Sequence, residues 1–218
     1  VNYKFIDYGA IVASDKSLVI EQDRTIGKGG FCWDPGFILG QHFLSMLPTI
    51  KKSDGNRING ILELGSGPGV AGLMAAQALP DVPVHLTDLP EVLPLLQRNV
   101  AALPNASAST LRWGTTPATS QSSLSPKYDV ILGGDVVASI YSTSALIQTL
   151  RDMSHADTWI VISVRDRLAS TIEPFEAEMR RLFQYVDRCA PQSDLKTPNV
   201  FIFVAHGKKE EGGDAQQQ

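Results

Sequence analysis

The chain reads as an α/β protein of the Rossmann-like, doubly wound kind: a seven-strand sheet, mostly parallel, closed by a C-terminal antiparallel hairpin and preceded by a small β ribbon and helix. Three observations lead there. From Ile61 onward, short β-rich runs alternate with helical patterns. The first such run ends in a cluster of glycines that opens a helix. The last two apolar runs have no helical segment between them, so they pair as a hairpin.

The elements follow in order. "KFIDYGAIVAS" and "SLVIEQD" form the ribbon, and Asp34-Pro35 reads as an N-cap followed by proline at the first helical position, opening "GFILGQHFLSML". "KKSDGNRING" (51–60) is a linker. "GILEL" (60–64) is the first strand of the sheet, and "VAGLMAAQAL" (70–79) is a helix with one apolar face, stopped by Pro80. "VPVHLTD" (82–88) is the second strand, and 91–103 a helix with Pro94 in its first turn, where the missing N–H costs little. "ASTLRW" (108–113) gives a third strand and the Ser/Thr/Pro-rich stretch 114–127 a solvated loop. A fourth strand (128–135), a helix (142–153), a fifth strand (158–164) and a helix (173–183) lead to the hairpin of "QYVDRCA" and "NVFIFVAH". Residues 1–52 are expected to pack on a core of 53–206, with 207–218 a polar, disordered tail.

Composition narrows the function. The 218 residues are 43% hydrophobic and 19% charged, enough for one substantial core. A net charge of −4 offers no broad basic surface for phosphates, so no nucleic-acid partner is expected. No apolar run approaches the ~20 residues that span a bilayer, so no membrane partner is expected either. The two cysteines, Cys32 and Cys189, are far apart and lack CxxC spacing, which suggests a reducing compartment: the cytoplasm, with access to the nucleus. The four histidines lie apart with no HxxxH or HExxH pattern, so no metal is expected. The chain does not begin with Met, so a leader removed from its front stays open.

The stretch "ILELGSGPGVAGLMAAQ" (61–77) carries the chemistry. Gly67 to Gly72 matches G-x-G-x-x-G, and Asp88 lies where a dinucleotide enzyme keeps its ribose-binding acid. Two details oppose a pyrophosphate. Pro68 removes an N–H donor from the middle of the turn, and Glu63 sets a carboxylate beside the cradle. S-adenosylmethionine, with a sulfonium, an ammonium and a ribose but no phosphates, suits the pattern Glu63-Leu64-Gly65-Ser66-Gly67-Pro68-Gly69 followed by Asp88. The glycines admit the ligand to the backbone, and Asp88 grips the ribose, with Leu89 beside it a further cofactor-binding candidate. A nicotinamide oxidoreductase is the rival reading, and a plain tight turn the bland one.

Six segments in order, "GGFCWDPGFILGQHFL", "ILELGSGPGVAGLMAA", "VHLTDLPEVLPLLQRNV", "LRWG", "YDVILGGDVV" and "SVRDR", resemble the seven-strand methyltransferases, and more narrowly the methyltransferase-like 21 group of family 16, known chiefly as protein-lysine methyltransferases. The resemblance spans roughly residues 3–206. It implies that Trp33 borders the methyl donor, that Gly65, Ser66 and Gly67 form its cradle, that Asp88 binds the ribose, that Trp113 lies beside the adenine, and that Gly134 and Asp135 begin the family's Asp-x-x-Tyr.

Here the chain departs from the pattern: Ala138 stands where the tyrosine belongs, and Tyr141 is the nearest aromatic stand-in. Asp135 is expected to orient the acceptor amine and balance its charge. The expected function is methyl transfer from S-adenosylmethionine, leaving S-adenosylhomocysteine, to a lysine of a protein substrate by a monomeric enzyme. A small-molecule acceptor and a donor-binding module without turnover are the alternatives.

Overall fold

The computed structural model describes residues 4–11, 15–50, 55, 57–115, 128–167 and 169–210. The ribbon consists of β1 (Phe5–Ala10) and β2 (Ser17–Glu21), paired antiparallel. Two 3-10 turns, Arg24–Ile26 and Lys28–Gly30, lead into α1 (Asp34–Met46). The sheet then alternates with helices: β3 (Ile61–Leu64), α2 (Val70–Ala78), β4 (Val84–Asp88), α3 (Leu93–Val100), β5 (Ala106–Thr110), β6 (Tyr128–Gly134), α4 (Thr143–Met153), β7 (Ser154–Arg165), α5 (Ala169–Leu182), β8 (Phe183–Cys189) and β9 (Val200–Lys208).

The strand order is β5-β4-β3-β6-β7-β9-β8, with β5 to β7 parallel and β9 antiparallel to both its neighbours. Chain direction across the sheet reverses between β3 and β6, so the crevice beyond their carboxyl ends is where a ligand belongs in such a fold.

Alternation along the pleat divides the core. Ile61, Val130, Leu132, Val161 and Ile202 pack on α1, α2 and α3, whereas Leu62, Ile131, Ile160, Ile162 and Phe203 pack on α4 and α5. Adjacent residues of a strand point to opposite faces, so these near-continuous apolar runs bury both sides of a sheet covered by two helical layers. The ribbon is fastened to this core through Glu21, which pairs with Lys4 at 3.3 Å and with Arg98 of α3 at 2.9 Å. Asn99 makes the closer tie: its amide donates to the carbonyls of Glu21 (2.9 Å) and Pro68 (2.8 Å), so β2 and the glycine turn share one clamp.

Several expectations shift. The N-cap of α1 is Trp33, with Asp34 the first helical residue and Pro35 the second. The Asp34 carboxylate does not cap; it accepts from the Thr197 hydroxyl at 3.3 Å and faces Arg165 at 3.5 Å. The third strand is 106–110 rather than 108–113, because its partner β4 ends at Asp88, opposite Thr110, and the ladder ends with it. Helix α5 begins at Ala169, placing Pro174 inside it rather than at its opening. Strand β7 starts at Ser154, directly after α4.

The closing hairpin forms, but β9 lies between β7 and β8. Composition explains the order. "VFIFVA" is buried and suits the interior, whereas "QYVDRC" is largely exposed and takes the edge. Strand β9 continues to Lys208, two residues into the segment expected to be tail. Half of the linker 51–60, the loop segment 116–127 and the end 211–218 lie outside the described residues.

Candidate active site

Glycines at 65, 67 and 69 take positive φ (60°, 54° and 94°), which lets the chain reverse sharply between β3 and α2. A side chain at Gly65 would meet the Trp113 ring at 3.0 Å, and one at Gly67 the Gly29 carbonyl oxygen at 3.2 Å. The turn is thus pressed from above by the segment 28–31 and from the side by Trp113. Together they enclose a cleft of about 770 Å³ over the carboxyl ends of β3, β4 and β6.

Four backbone donors of this turn and of the start of α2 are already used. Ser66 N–H donates to Thr87 O (3.0 Å), Gly69 N–H to Ser66 O (2.8 Å), Gly67 N–H to Asp88 Oδ2 (2.7 Å) and Gly72 N–H to Glu63 Oε2 (3.0 Å). Pro68 has none to give. A pyrophosphate binds through free N–H groups, and here protein carboxylates and carbonyls occupy them. That observation weighs against the dinucleotide reading and fits a ligand without phosphates.

The two acids play different parts. Asp88 reaches the cleft with both oxygens partly engaged, Oδ1 accepting from Leu89 N–H at 2.7 Å, and each oxygen keeps a lone pair for a hydroxyl. Burial raises its pKa, against the pull of those two N–H groups. Glu63 forms the floor rather than a charged wall. It is 2% exposed, and burial, which favours the neutral form, pushes its carboxyl up to about 8 against the pull of the Gly72 N–H. Expected to set a negative charge beside the cradle, it instead tethers the first turn of α2.

All the expected site residues except Gly69 line the cleft. Gly69 faces the core, where a side chain would strike Leu86 and Leu96. Ser66 lines the cleft while its hydroxyl donates to Glu63 O and accepts from Thr87 N–H, joining β3 to β4. Trp33 stands at the rim, its indole N–H donating to Lys28 O at 2.9 Å. Trp113 meets Tyr141 edge to face with centroids 5.5 Å apart.

Across the cleft from the glycine turn, Asp135 sits at the end of β6 with φ +56°, and Arg167 grips its carboxylate by two bonds of 2.8 and 2.6 Å. Ala138, Ile140 and Tyr141 complete that side. Arg167 and the covering Gly29 were not among the expected site residues. The segments "SVRDR" and "GKGG" that carry them were visible, but nothing local says they fold over the same cleft.

A family model described as lysine methyltransferase matches residues 12–181. The chain belongs to the lysine methyltransferase family. It is, by that membership, an S-adenosylmethionine-dependent methyltransferase. Among its relatives, Protein N-lysine methyltransferase METTL21A of Danio rerio is 34% identical over 173 residues, which are 75% of this chain and 73% of that protein. EEF1A lysine methyltransferase 3 of Mus musculus is 30% identical over 188 residues, 84% of this chain and 75% of that protein.

Solved structures agree on the architecture. A TehB-like SAM-dependent methyltransferase from Corynebacterium glutamicum superposes with a TM-score of 0.56 at 15% identity, covering 85% of the methyltransferase described here and 94% of that chain. The 16S rRNA methyltransferase RsmC of T. thermophilus, in complex with AdoMet and guanosine, gives 0.63 at 14% identity over 95% of this chain and 52% of that one. At these identities the likeness concerns the fold. Among the described residues no helix is long and apolar enough to cross a membrane.

Proposed function

We propose that the enzyme methylates the ε-amine of a lysine in a protein substrate, with Asp88, Leu89 and the turn 65–67 holding S-adenosylmethionine, Trp33 and Trp113 bordering it, and Asp135 facing the acceptor. One observation carries this reading: the glycine turn with Asp88 and the Asp135 carboxylate line a single cleft. S-adenosylmethionine held there would supply an electrophilic methyl group on a sulfonium. The chain's own residues supply alignment and dryness, which account for much of the rate in such displacements. The turn and Asp88 fix the donor. Trp33, Trp113 and Tyr141 present ring surface around the mouth, where a cation near a ring face gains about 0.5–1 kcal/mol or more.

The relatives' names point to protein lysines, one of them to EEF1A. We take EEF1A as the first acceptor to try, and a cytoplasmic monomer as the working form. Ala138, in place of the family's tyrosine, favours a second reading in which the acceptor differs from that of the relatives. The test is to incubate the full chain with methyl-labelled donor and either purified EEF1A or a cell lysate. Label on lysine of a protein supports the proposal; label only on small molecules moves the acceptor to that class; donor binding with no transfer leaves a binding module.

A further inference from the structure

Arg167 lines the cleft beside Asp135, and a cation at the mouth of a lysine site is a poor neighbour for an incoming ammonium. Yet its position is firmly set. The segment after β7 is fastened by Asp166, whose N–H donates to Asn199 O at 2.7 Å and whose carboxylate faces Arg188 at 3.4 Å. From that anchor Arg167 meets Asp135 as a two-bond fork, while Asp135 is itself fixed by Asp135 N–H to Ser163 O (2.8 Å) and Arg165 N–H to Asp135 Oδ1 (3.3 Å). The Asp135 side chain is 13% exposed and that of Arg167 45%, so the pair is only partly screened by water.

We propose that Arg167 is a positioning residue for methyl transfer: by holding Asp135 charge-compensated in this fork, it makes the site admit the acceptor lysine as a neutral amine instead of trapping it as an ammonium. The proposal rests on the lysine reading given above. Transfer needs the nitrogen lone pair, and an unpaired carboxylate at this point would favour the protonated, unreactive form. A two-bond guanidinium–carboxylate pair must be broken before an ammonium can take its place.

The other charged or titratable groups around Asp135 leave this role to Arg167. Arg165 directs its side chain to Asp34 at 3.5 Å. Burial, with Asp88 and Asp135 nearby, raises the Tyr141 hydroxyl and keeps it neutral. Asp88 is bonded to Gly67 and Leu89 on the far side of the cleft.

The test compares the full chain with Arg167→Ala, Arg167→Lys and, as a control on α5, Arg181→Ala, whose side chain is 77% exposed and pairs with Glu178. The first readout needs no protein acceptor: calorimetric titration with n-butylamine at pH 7, where it is cationic, in protein saturated with S-adenosylhomocysteine. Arg167→Ala is expected to bind it about tenfold more tightly than the parent, with Arg167→Lys between them, since an unmasked carboxylate favours a nearby cation by about one pH unit or more. The second is the pH profile of methyl transfer to a protein lysine. Arg167→Ala should lose about tenfold in kcat at pH 7 with no rise in KM, and regain it as the profile moves up by about one pH unit.

Equal butylamine affinity in all forms, or kcat and KM changing together with an unmoved profile, would show Arg167 to be merely structural and overturn the proposal. Tighter butylamine binding by Arg167→Ala in a protein whose parent transfers methyl to no lysine at any pH would instead overturn the lysine reading, and the gate with it.

Discussion

In the half of the cleft proposed for the donor, carboxylates meet backbone N–H groups: Asp88 takes Gly67 and Leu89, Glu63 takes Gly72. In the half proposed for the acceptor, a carboxylate meets a guanidinium, and the neighbours are open to solvent, with Ile140 57% and Tyr141 41% exposed. Bonds to backbone fix the shape of a pocket whatever side chains surround it. An ion pair between side chains fixes a charge balance that another charge can upset. The donor half is therefore suited to one constant ligand, and the acceptor half to choosing among several.

Four changes sharpen or break that contrast, beginning with the largest. Gly67→Val should abolish donor binding with the chain still folded, because a β-branched residue at φ +54° is strained by about 1–3 kcal/mol and its side chain would also meet Gly29 O. Circular dichroism together with adenosylhomocysteine titration reads both parts. Asp135→Asn should lower kcat about a hundredfold, the order expected for one charged group acting in the transition state, while donor affinity changes less than about twofold, as befits a residue of the other half.

Asp88→Ala should weaken donor binding by roughly 1–3 kcal/mol, from the lost ribose contact and the two N–H groups left unpaired. Unchanged affinity in that variant would take Asp88 out of the site. The smallest effect on donor binding belongs to a change read instead as a pH dependence of stability. The folded Glu63 carboxyl lies above its unfolded value, so the native state holds a proton that the unfolded chain gives up. Stability contributed there declines as pH rises from about 4.5 to about 8. Glu63→Gln keeps an acceptor for Gly72 N–H and removes the titration, so its stability relative to the parent should climb across that window, by a few kcal/mol at most. A flat difference in denaturant melts from pH 5 to pH 8 would restore Glu63 as a charged wall.

The donor half was legible in the sequence because it is local. Glu63 to Gly72 are one strand-turn-helix, and Asp88 ends the next strand, so periodicity and glycine spacing carry them together. Even there, direction was hidden. Nothing in "ELGSGPG" says that Gly69 turns into the core against Leu86 and Leu96, or that Glu63 is bonded from below. The acceptor half depends on residues thirty-two apart. Asp135 and Arg167 meet because β6 and β7 are neighbours in parallel register, Gly134 beside Ser163, and that pairing is a property of the sheet.

The strand order of the closing hairpin was likewise veiled by spacing but written in composition, since the strand with the longer apolar run is the one that lies inside. The expected cap at Asp34 failed because Asp-Pro suits two adjacent registers, and the bonds to Thr197 and Arg165 select the later one.

The account stands most directly on what the cleft binds. Calorimetric titration of the full chain with S-adenosylhomocysteine and, separately, with NAD should give saturable one-site binding for the first and no heat for the second. Saturable NAD binding with no response to S-adenosylhomocysteine would contradict it.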